Sequence, residues 1–234
     1  NNEKVSYVER RELNTFPKFK IENLVKKSYY DDLTSAFQDQ LELRQYLIKG
    51  YFLFQFQRYY GDAVKGKNNQ LYSAEQAKPS KDYYKNLKKQ IENINTKNKE
   101  LNAKLIFLSI PRKDAYMAKE LPKTYTSSIN IYNKQVEITK QTLDSDITFI
   151  NAYDVFKKSG IYNCYYSNDH HITPKCAYEL YKEINKITNT KSYNLEEEFK
   201  INKTVVNGAY NRQLGQTVKS KPEDLYLTPK KTIN

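Results

Sequence analysis

The chain has 234 residues, enough for one large domain or for a domain with an appended arm, and either can bury a core without disulfide or metal cross-links. Its 39 Lys and Arg residues outnumber its 27 Asp and Glu residues, and the formal charge of +12 favours anionic surroundings. Lysines alternate with polar residues along 85–99, which predicts a solvated helix surface. Because the positive charge is spread in this way, we expect no nucleic-acid partner. No apolar run reaches the ~18 residues of a membrane span.

The first quarter of the chain predicts an arm that passes into a helix. Residues 1–35 are polar and predict an extended N-terminal arm, and residues 36–234 are expected to form the domain. Asp32 or Thr34 is a candidate cap for the first helix. Between Ala36 and Tyr60, apolar residues first follow helical spacing and later alternate. This pattern predicts a helix, then a segment that fits either a helix or a strand.

Farther along, helical and strand patterns alternate. Residues 61–69 are rich in turn formers, and residues 70–74 fit a short strand. Two continuous apolar runs predict buried strands over 104–111 and 146–151. Amphipathic spacing predicts helices over residues 81–102, 132–143, 152–159 and 174–187. This order indicates an α/β layer architecture, and beyond Thr188 the pattern becomes polar and irregular.

The stretch "YYSNDHHITPKCAYELYKEI", residues 165–184, contains both histidines of the chain. Thr173 and Pro174 form an N-cap and first-turn pair, so the preceding Asp169, His170 and His171 are predicted to lie in a loop that enters a helix. Such loops can lie at the carboxyl ends of strands, where α/β proteins bind ligands. A carboxylate two residues from a His can fix the imidazole tautomer for acid–base work. The stretch is therefore a candidate hydrolytic or acyl-transfer site.

Two other interpretations of this stretch remain open. Asp169 could cap the turn while His170 is exposed and His171 packs against the core. Asp-His-His also occurs in manganese-dependent phosphoesterases, but those sites need further Asp and His ligands, and the chain contains no other histidine. We therefore expect no metal and no cofactor. Cys164 and Cys176 flank the histidines and could form one bridge, but two ordinary thiols are the expectation.

Four stretches of the chain match the motifs of one protein family in the right order. They are "YVERRELNTFPKF", "FQDQLELRQYL", "LIFLSIPRKDAYM" and "YYSNDHHITPKCAYELY", at residues 7–19, 37–47, 105–117 and 165–181. Together they resemble the DHHW family, with Asp39 and Arg44 of the second stretch and Asp169 of the fourth at matching positions. The departures from the family pattern are Arg10 in place of Asn, Ile172 in place of Trp and Cys176 in place of Gly.

The DHHW family is related to the alginate O-acetylation proteins, and the resemblance implies both a fold and a function. The fold is an SGNH-hydrolase-like, flavodoxin-like three-layer α/β domain with a mostly parallel sheet, expected to be incomplete at its C-terminus. The function is that of an O-acetyltransferase or acetylesterase on an exported cell-envelope polysaccharide. The resemblance further implies a place outside the cytoplasmic membrane, an anchoring segment N-terminal to this sequence, and a multispanning membrane O-acyltransferase as partner.

The resemblance also assigns roles to individual residues. By matching position, Asp169 orients His171, and His171 activates a Ser nucleophile. His170 and Tyr166 are candidate substrate contacts. In the related proteins the Ser lies downstream in a Gly-Asp-Ser or Gly-Thr-Ser segment, and no such segment follows His171 in this sequence.

The nucleophile is therefore expected outside this sequence. Ser109, at the end of a predicted strand, and Ser167, beside the histidines, are the alternatives, although packing and loop hydrogen bonding are their simpler roles. A chain of this fold without any nucleophile would instead be a catalytically silent glycan-binding or assembly module. The manganese phosphoesterase is the third candidate function.

Overall fold

A computed structural model describes residues 4–6, 11–41, 43–57, 62–101, 104–214 and 217–230. The helices within these ranges are α1 (Lys27–Asp39), α2 (Arg44–Gln57), α3 (Tyr83–Leu101), α4 (Lys113–Tyr116), α5 (Ile129–Thr142), α6 (Ala152–Ser159), α7 (Pro174–Thr188), α8 (Leu195–Glu198) and α9 (Ala209–Gln213). The strands are β1 (Val5–Ser6), β2 (Arg11–Glu12), β3 (Ala63–Lys65), β4 (Leu71–Ser73), β5 (Ile106–Ser109), β6 (Thr148–Asn151), β7 (Phe199–Val205) and β8 (Pro222–Pro229). No helix in these ranges is long and apolar enough to cross a membrane.

The two predicted apolar strands pair with each other in parallel. Strands β5 and β6 align from Ile106 opposite Thr148 to Ser109 opposite Asn151, with α4 and α5 in the connection between them. Such a crossover is the building unit of α/β sheets. The residues of β5 are half-buried rather than buried, because β6 is its only strand neighbour among the described residues. The pairs β1–β2, β3–β4 and β7–β8 are antiparallel.

The main core packs the helices that follow these strands against the segment that carries the histidines. Its largest buried members come from the β3–β4 hairpin, from the region of α4 and from α6, α7 and the loop between them: Tyr72, Tyr116, Met117, Phe156, Cys164, Tyr165, Cys176 and Leu180. Burying one large apolar side chain contributes roughly 1.5–3 kcal/mol. The loop before α7 is thus fixed by the core of the domain.

The first helix begins within the predicted N-terminal arm and ends beyond it. Helix α1 begins at Lys27, so neither Asp32 nor Thr34 caps it, and no side-chain hydrogen bond caps its first turn. The segment that fitted either helix or strand is helical as α2 up to Gln57, while residues 58–61 lie outside the described ranges. Arg11 donates from both terminal nitrogens to the Asp39 carboxylate, at 2.9 and 2.6 Å. The first two family motifs therefore meet in a bidentate ion pair.

The C-terminal segment is ordered into secondary structure, so the prediction of an irregular pattern beyond Thr188 was wrong. The side chain of Asn194 accepts the N–H groups of Glu196 and Glu197 and caps α8. Strand β7 then pairs along its full length with β8, with an irregularity between Asn202 and Lys203. The apolar–polar alternation in β7 is short, and its paired residues in β8 lie 17 to 30 positions farther along the chain. A local sequence pattern does not reveal such a pairing.

Cys164 and Cys176 form a disulfide, so the expectation of two thiols was wrong. Their Cα atoms are 5.3 Å apart, which is the usual spacing for a bridge. The two residues approach because the chain reverses between them and the first turn of α7 returns to the start of the loop. The bridge joins this helix to the loop that carries both histidines.

Candidate active site

The Asp-His-His loop, defined as residues 164–173, is a small hairpin. Thr173 N–H donates to the Cys164 carbonyl at 2.8 Å, and Tyr166 N–H donates to the His171 carbonyl at 3.2 Å. Between these bonds Tyr165 and Ile172 form an antiparallel bridge. The disulfide closes the base of the hairpin, so its tip presents Asp169 and the histidines in a fixed turn.

Asp169 is the centre of the hydrogen bonding at the tip and is 6% exposed. Its Oδ1 accepts the backbone N–H groups of His170 at 2.7 Å and of His171 at 3.1 Å, and its Oδ2 accepts the N–H of Ala209 at 2.7 Å. Burial alone would raise the pKa of Asp169, but the hydrogen bonds from Ala209, His171 and His170 outweigh it and lower that pKa. The carboxylate is therefore held ionised.

The imidazole of His171 lies against this carboxylate and remains largely in solvent. Its Nδ1 is 2.6 Å from Asp169 Oδ1, and 68% of the side chain is exposed. Because an ionised carboxylate only accepts hydrogen bonds, Nδ1 carries the proton, and Nε2 is the basic nitrogen. The alternative in which His171 packs against the core is not observed. His170 is also exposed, and its ring centre is 4.1 Å from that of His171 and 5.9 Å from that of Tyr210.

Lys113, the lysine of the third family motif, is buried beside the hairpin and donates hydrogen bonds to its backbone. It is 3% exposed, and its Nζ donates to the carbonyls of Leu71 at 2.8 Å, Tyr166 at 2.6 Å and Ser167 at 2.8 Å. Burial lowers the pKa of Lys113 to about 7, while the charges of Glu223 and Asp169 act in the opposite direction. Three carbonyl acceptors match the three N–H groups of the ammonium form. Lys113 thus ties strand β4 to the loop.

Residues from the C-terminal segment complete the support of the tip. Glu223 accepts both the N–H and the hydroxyl of Ser167, at 2.9 and 2.8 Å. The Asn168 side chain donates to the Val206 carbonyl and to the Ser220 hydroxyl, each at 2.5 Å. Residue 208 must be glycine here, because a Cβ would collide with the backbone and side chain of Asn168. The part of the chain that looked irregular in sequence therefore positions the candidate acid–base pair.

The other predicted site residues lie in different surroundings. Tyr166 is only 7% exposed, and burial raises the pKa of its phenol to about 12, so its position does not favour direct stacking on a sugar. The Ser167 hydroxyl is bound to Glu223, and the Ser109 carbonyl accepts the Tyr132 hydroxyl at 2.9 Å. Among the described residues, no serine hydroxyl is hydrogen-bonded to the His171 ring.

The same three residues also make the candidate metal site. One ligand atom each from Asp169, His170 and His171 lies within 4.8 Å of the others. Across the described ranges, no other group of at least three His, Cys, Asp or Glu side chains is placed to hold an ion. The donor set is mixed nitrogen and oxygen, and two of its members are solvent-exposed.

Several supporting residues were not identified as such from the sequence. The sequence marks Lys113 as a notable residue, because it lies in the Pro-Lys loop of the third motif. The motif does not reveal which groups its ammonium contacts. No sequence pattern indicates that Glu223 and Ala209 support the loop, since each is more than 35 residues away from it along the chain. Their contribution depends on how β8 and α9 return to the hairpin.

The Asp-His-His loop and the parallel strands β5 and β6 lie close together in one α/β arrangement. The Asp-His-His loop lies beside the segment that follows β5, since the Tyr165 hydroxyl donates to the Pro111 carbonyl. This contact brings the loop that carries Asp169 and His171 towards the carboxyl end of β5, where α/β proteins bind ligands.

The family of the chain is shown by a match between its sequence and a family model. Residues 63–233 match the family described as the SGNH hydrolase-like domain of the acetyltransferase AlgX. The chain belongs to this family, and the relation to the alginate O-acetylation proteins and the SGNH-hydrolase-like α/β fold are both confirmed. No curated protein gives a significant sequence match.

The solved structures to which this chain is similar are distant from it in sequence. PatB1 of Bacillus cereus has a TM-score of 0.52 and 15% identity, over 72% of this chain and 58% of PatB1. The O-acetyltransferase domain of Pseudomonas putida AlgJ has a TM-score of 0.52 and 15% identity, over 73% of this chain and 66% of that domain. A DHHW family protein from Eubacterium siraeum has a TM-score of 0.44 and 14% identity, over 71% of this chain and 56% of its own. The chain thus spans somewhat more than half of PatB1.

Proposed function

We propose that the protein acts in O-acetylation of an exported cell-envelope polysaccharide, with Asp169 and His171 as the acid–base pair. The observation that supports this most directly is the 2.6 Å contact between His171 Nδ1 and a buried, multiply hydrogen-bonded Asp169 carboxylate. The family of the chain and the O-acetyltransferase domain of AlgJ support acetyl transfer as the reaction.

The chemistry requires a nucleophile that His171 can activate. We propose a Ser outside this sequence, since no described serine hydroxyl meets the His171 ring. His171 Nε2 takes the Ser proton as Oγ attacks the acetyl carbonyl, and the proton passes to the leaving group of the donor. In the second half-reaction Nε2 takes a proton from a sugar hydroxyl, the sugar oxygen attacks the acetyl-serine, and Ser leaves with the proton. Asp169 stabilises the imidazolium in both steps.

The compartment and partners follow from the same proposal. The Cys164–Cys176 disulfide supports an extracytoplasmic location, because structural disulfides persist in oxidising compartments. We place the protein at the cell envelope, held by an N-terminal segment outside this sequence and receiving acetyl groups from a multispanning membrane O-acyltransferase. His170, exposed beside His171, is the proposed substrate contact.

The acid–base pair can be tested by substitution in a protein extended through its natural downstream sequence. Asp169→Asn and His171→Ala should each lower acetyl transfer by at least about a hundredfold, because the imidazole loses its orienting partner or is itself removed. His170→Ala should have a smaller effect. Thermal melts serve as the control, because Asp169 also holds the turn. Small and equal losses at all three positions would contradict the proposal.

The nucleophile can be tested separately with a serine-directed sulfonyl fluoride. The 234-residue chain should cleave a simple acetyl ester no faster than its His171→Ala variant and should not be labelled. The extended protein should gain both ester cleavage and the label. An adduct on Ser109 or Ser167 of the shorter chain would identify that residue as the nucleophile. An extended protein that neither cleaves nor labels would favour the catalytically silent glycan-binding module.

The grouping of Asp169, His170 and His171 favours the metal phosphoesterase as a second candidate function. We expect the acetyl-transfer function to be metal-independent, because three ligands on adjacent residues provide an incomplete set for a hard cation. Dialysis of the extended protein against a chelator should therefore leave ester cleavage unchanged. Stoichiometric manganese in protein purified without added metal, together with phosphodiester cleavage, would establish the alternative.

A further inference from the structure

A cleft lies just beyond the carboxyl end of β5. It encloses about 380 Å³ and is bordered by residues 75–80, by Ile110 and Arg112, and by the start of α5. The Tyr132 hydroxyl, on its wall, lies within hydrogen-bond distance of two acceptors at the ends of β5 and β6, the Ser109 carbonyl and the Asn151 Oδ1. The volume is within the range of small-molecule sites, and the carboxyl end of the sheet is where α/β proteins place them.

The lining of the cleft mixes flat apolar surface with neutral hydrogen-bonding groups. Tyr83 and Gln135 lie side by side in the lining, where the Gln135 amide donates to the Tyr83 hydroxyl, and each keeps further donor or acceptor capacity. Ile110, 47% exposed, and Ile131 supply apolar surface. Tyrosines with one apolar face and one polar tip suit a ligand of the same mixed character. Pyranose rings have apolar C–H faces and a periphery of hydroxyls, and they match this lining.

The charged residues of the lining are Arg112, Lys78 and Glu75, and their net formal charge of +1 is offset by Asp114, the ion-pair partner of Arg112. The Arg112 guanidinium is paired with Asp114 at 2.9 Å and also donates to the Glu75 carbonyl. Of the other charged lining residues, Lys78 and Glu75 cancel in formal charge. A charged ligand would therefore find no excess of the opposite sign, and an uncharged sugar would require no charged group to lose its partner.

The cleft continues towards the histidines. A smaller neighbouring cleft shares Glu75, Gln76 and Arg112 with it and extends to Tyr210. The Tyr210 ring lies 5.9 Å from the ring of His170, which is next to His171. A chain molecule held in the first cleft could thus extend along this surface to the candidate acid–base pair.

We propose that the cleft is a subsite for uncharged pyranose units of the acceptor polysaccharide, an inference that rests on the function proposed above. Its lining positions the acceptor chain and takes no part in proton transfer. Gln135 and Tyr83 bind ring hydroxyls, and the isoleucines contact the C–H face.

Direct binding to the 234-residue chain tests the subsite without any need for catalysis. Calorimetric or NMR titrations use cellotetraose and chitotetraose as uncharged probes and tetragalacturonate as the acidic probe. We expect saturable binding of an uncharged probe. Gln135→Ala should weaken it up to about tenfold, as expected for one lost hydrogen bond, and Ala77→Trp, which fills the cleft, should weaken it further. Gln141→Ala, an exposed position on the same helix, is the matched control and should bind like the wild type.

Failure of uncharged probes to bind, preference for tetragalacturonate, or wild-type affinity in both cleft variants would overturn the proposal. Melting temperatures equal to that of the wild type show that the variants are folded. In the extended protein, cleavage of 4-nitrophenyl acetate reports on the nucleophile and the acid–base pair, and it needs no sugar in the cleft. Gln135→Ala should raise the KM for a sugar acceptor, whereas Gln141→Ala should change neither this KM nor the rate of ester cleavage. If the extended wild-type protein does not cleave the ester, the acetyl-transfer function is contradicted. If Gln135→Ala leaves the KM for the sugar acceptor unchanged, the subsite is contradicted.

Discussion

At the scale of single residues, Lys113 shows how one buried cation can organise a site that it does not enter. Its ammonium group bridges the carbonyl of Leu71 on β4 and the carbonyls of Tyr166 and Ser167 in the Asp-His-His loop. The rings of Tyr72 and Tyr210 lie within 5.0 and 5.8 Å of Nζ. Because these carbonyls are shielded from solvent, removal of the ammonium leaves acceptors without donors.

Lys113→Met should therefore destabilise the protein by about 3 kcal/mol, since three carbonyls lose a charged donor while the volume of the side chain is roughly kept. Chemical denaturation measures the loss, and amide exchange of residues 167–171 should quicken in the variant. Lys119→Met, at an exposed position a few residues away, is the control and should change little. Equal stability of the two variants would show that Lys113 does not hold the loop.

At the scale of elements, the disulfide connects the hairpin that carries the histidines to the helix that follows it. The bridge closes a short loop, with a sequence separation of 12, and its two sulfurs are fully buried in the main core. Cross-linking a loop of this length lowers the conformational entropy of the unfolded chain. In the folded protein it fixes the start of α7 relative to Cys164.

The Cys164→Ser, Cys176→Ser double variant should lose about 2–4 kcal/mol of stability, because the unfolded chain regains the freedom that the bridge removes. Thermal melts of the oxidised wild type, the reduced wild type and the variant provide the comparison. The reduced wild type should melt close to the variant. A reduced protein as stable as the oxidised one would mean that hydrogen bonding alone maintains the hairpin.

At the scale of the whole molecule, two carboxylates in different parts of the fold, Asp39 and Asp169, contribute to stability in their ionised form. The Arg11 guanidinium, followed by hydrogen bonds from Asn14, holds the pKa of Asp39 well below its usual range, and hydrogen bonds lower that of Asp169. A carboxyl group whose pKa is lower in the folded state stabilises the fold above its unfolded pKa of about 4, and this contribution is lost as the pH falls further. Both groups therefore act in the same direction.

We expect the free energy of unfolding to fall as the pH is lowered below about 4. Asp39→Asn should lower stability at pH 7 by about 1–3 kcal/mol and flatten part of this acid dependence, because the arm loses its charged partner on α1. Denaturation curves between pH 3 and 7 measure both effects. Asp32→Asn, an exposed carboxylate on the same helix, should reproduce the wild-type curve. Identical acid dependence in Asp39→Asn and wild type would contradict the assignment.

The sequence alone determined the order of elements around the candidate site and the residue types at its centre. Strands β5 and β6 and helices α5, α6 and α7 lie where apolar runs and helical spacing predicted them. Asp169 and His171 were identified as a pair from their residue types and motif, and the structure brings their side chains into contact. These features are local, because a helix or strand period and a two-residue spacing are properties of a short stretch of chain.

Only the tertiary structure decided what holds that centre in place. The disulfide, the contacts of Lys113, and the return of β8 and α9 to the hairpin join residues between 12 and 56 positions apart. Local periodicity contains no information about such pairs, because the free energy that brings them together comes from packing of the whole domain and not from the segments themselves. The polar character of the C-terminal segment concealed β7 and β8 for the same reason: each forms its backbone hydrogen bonds with a distant partner.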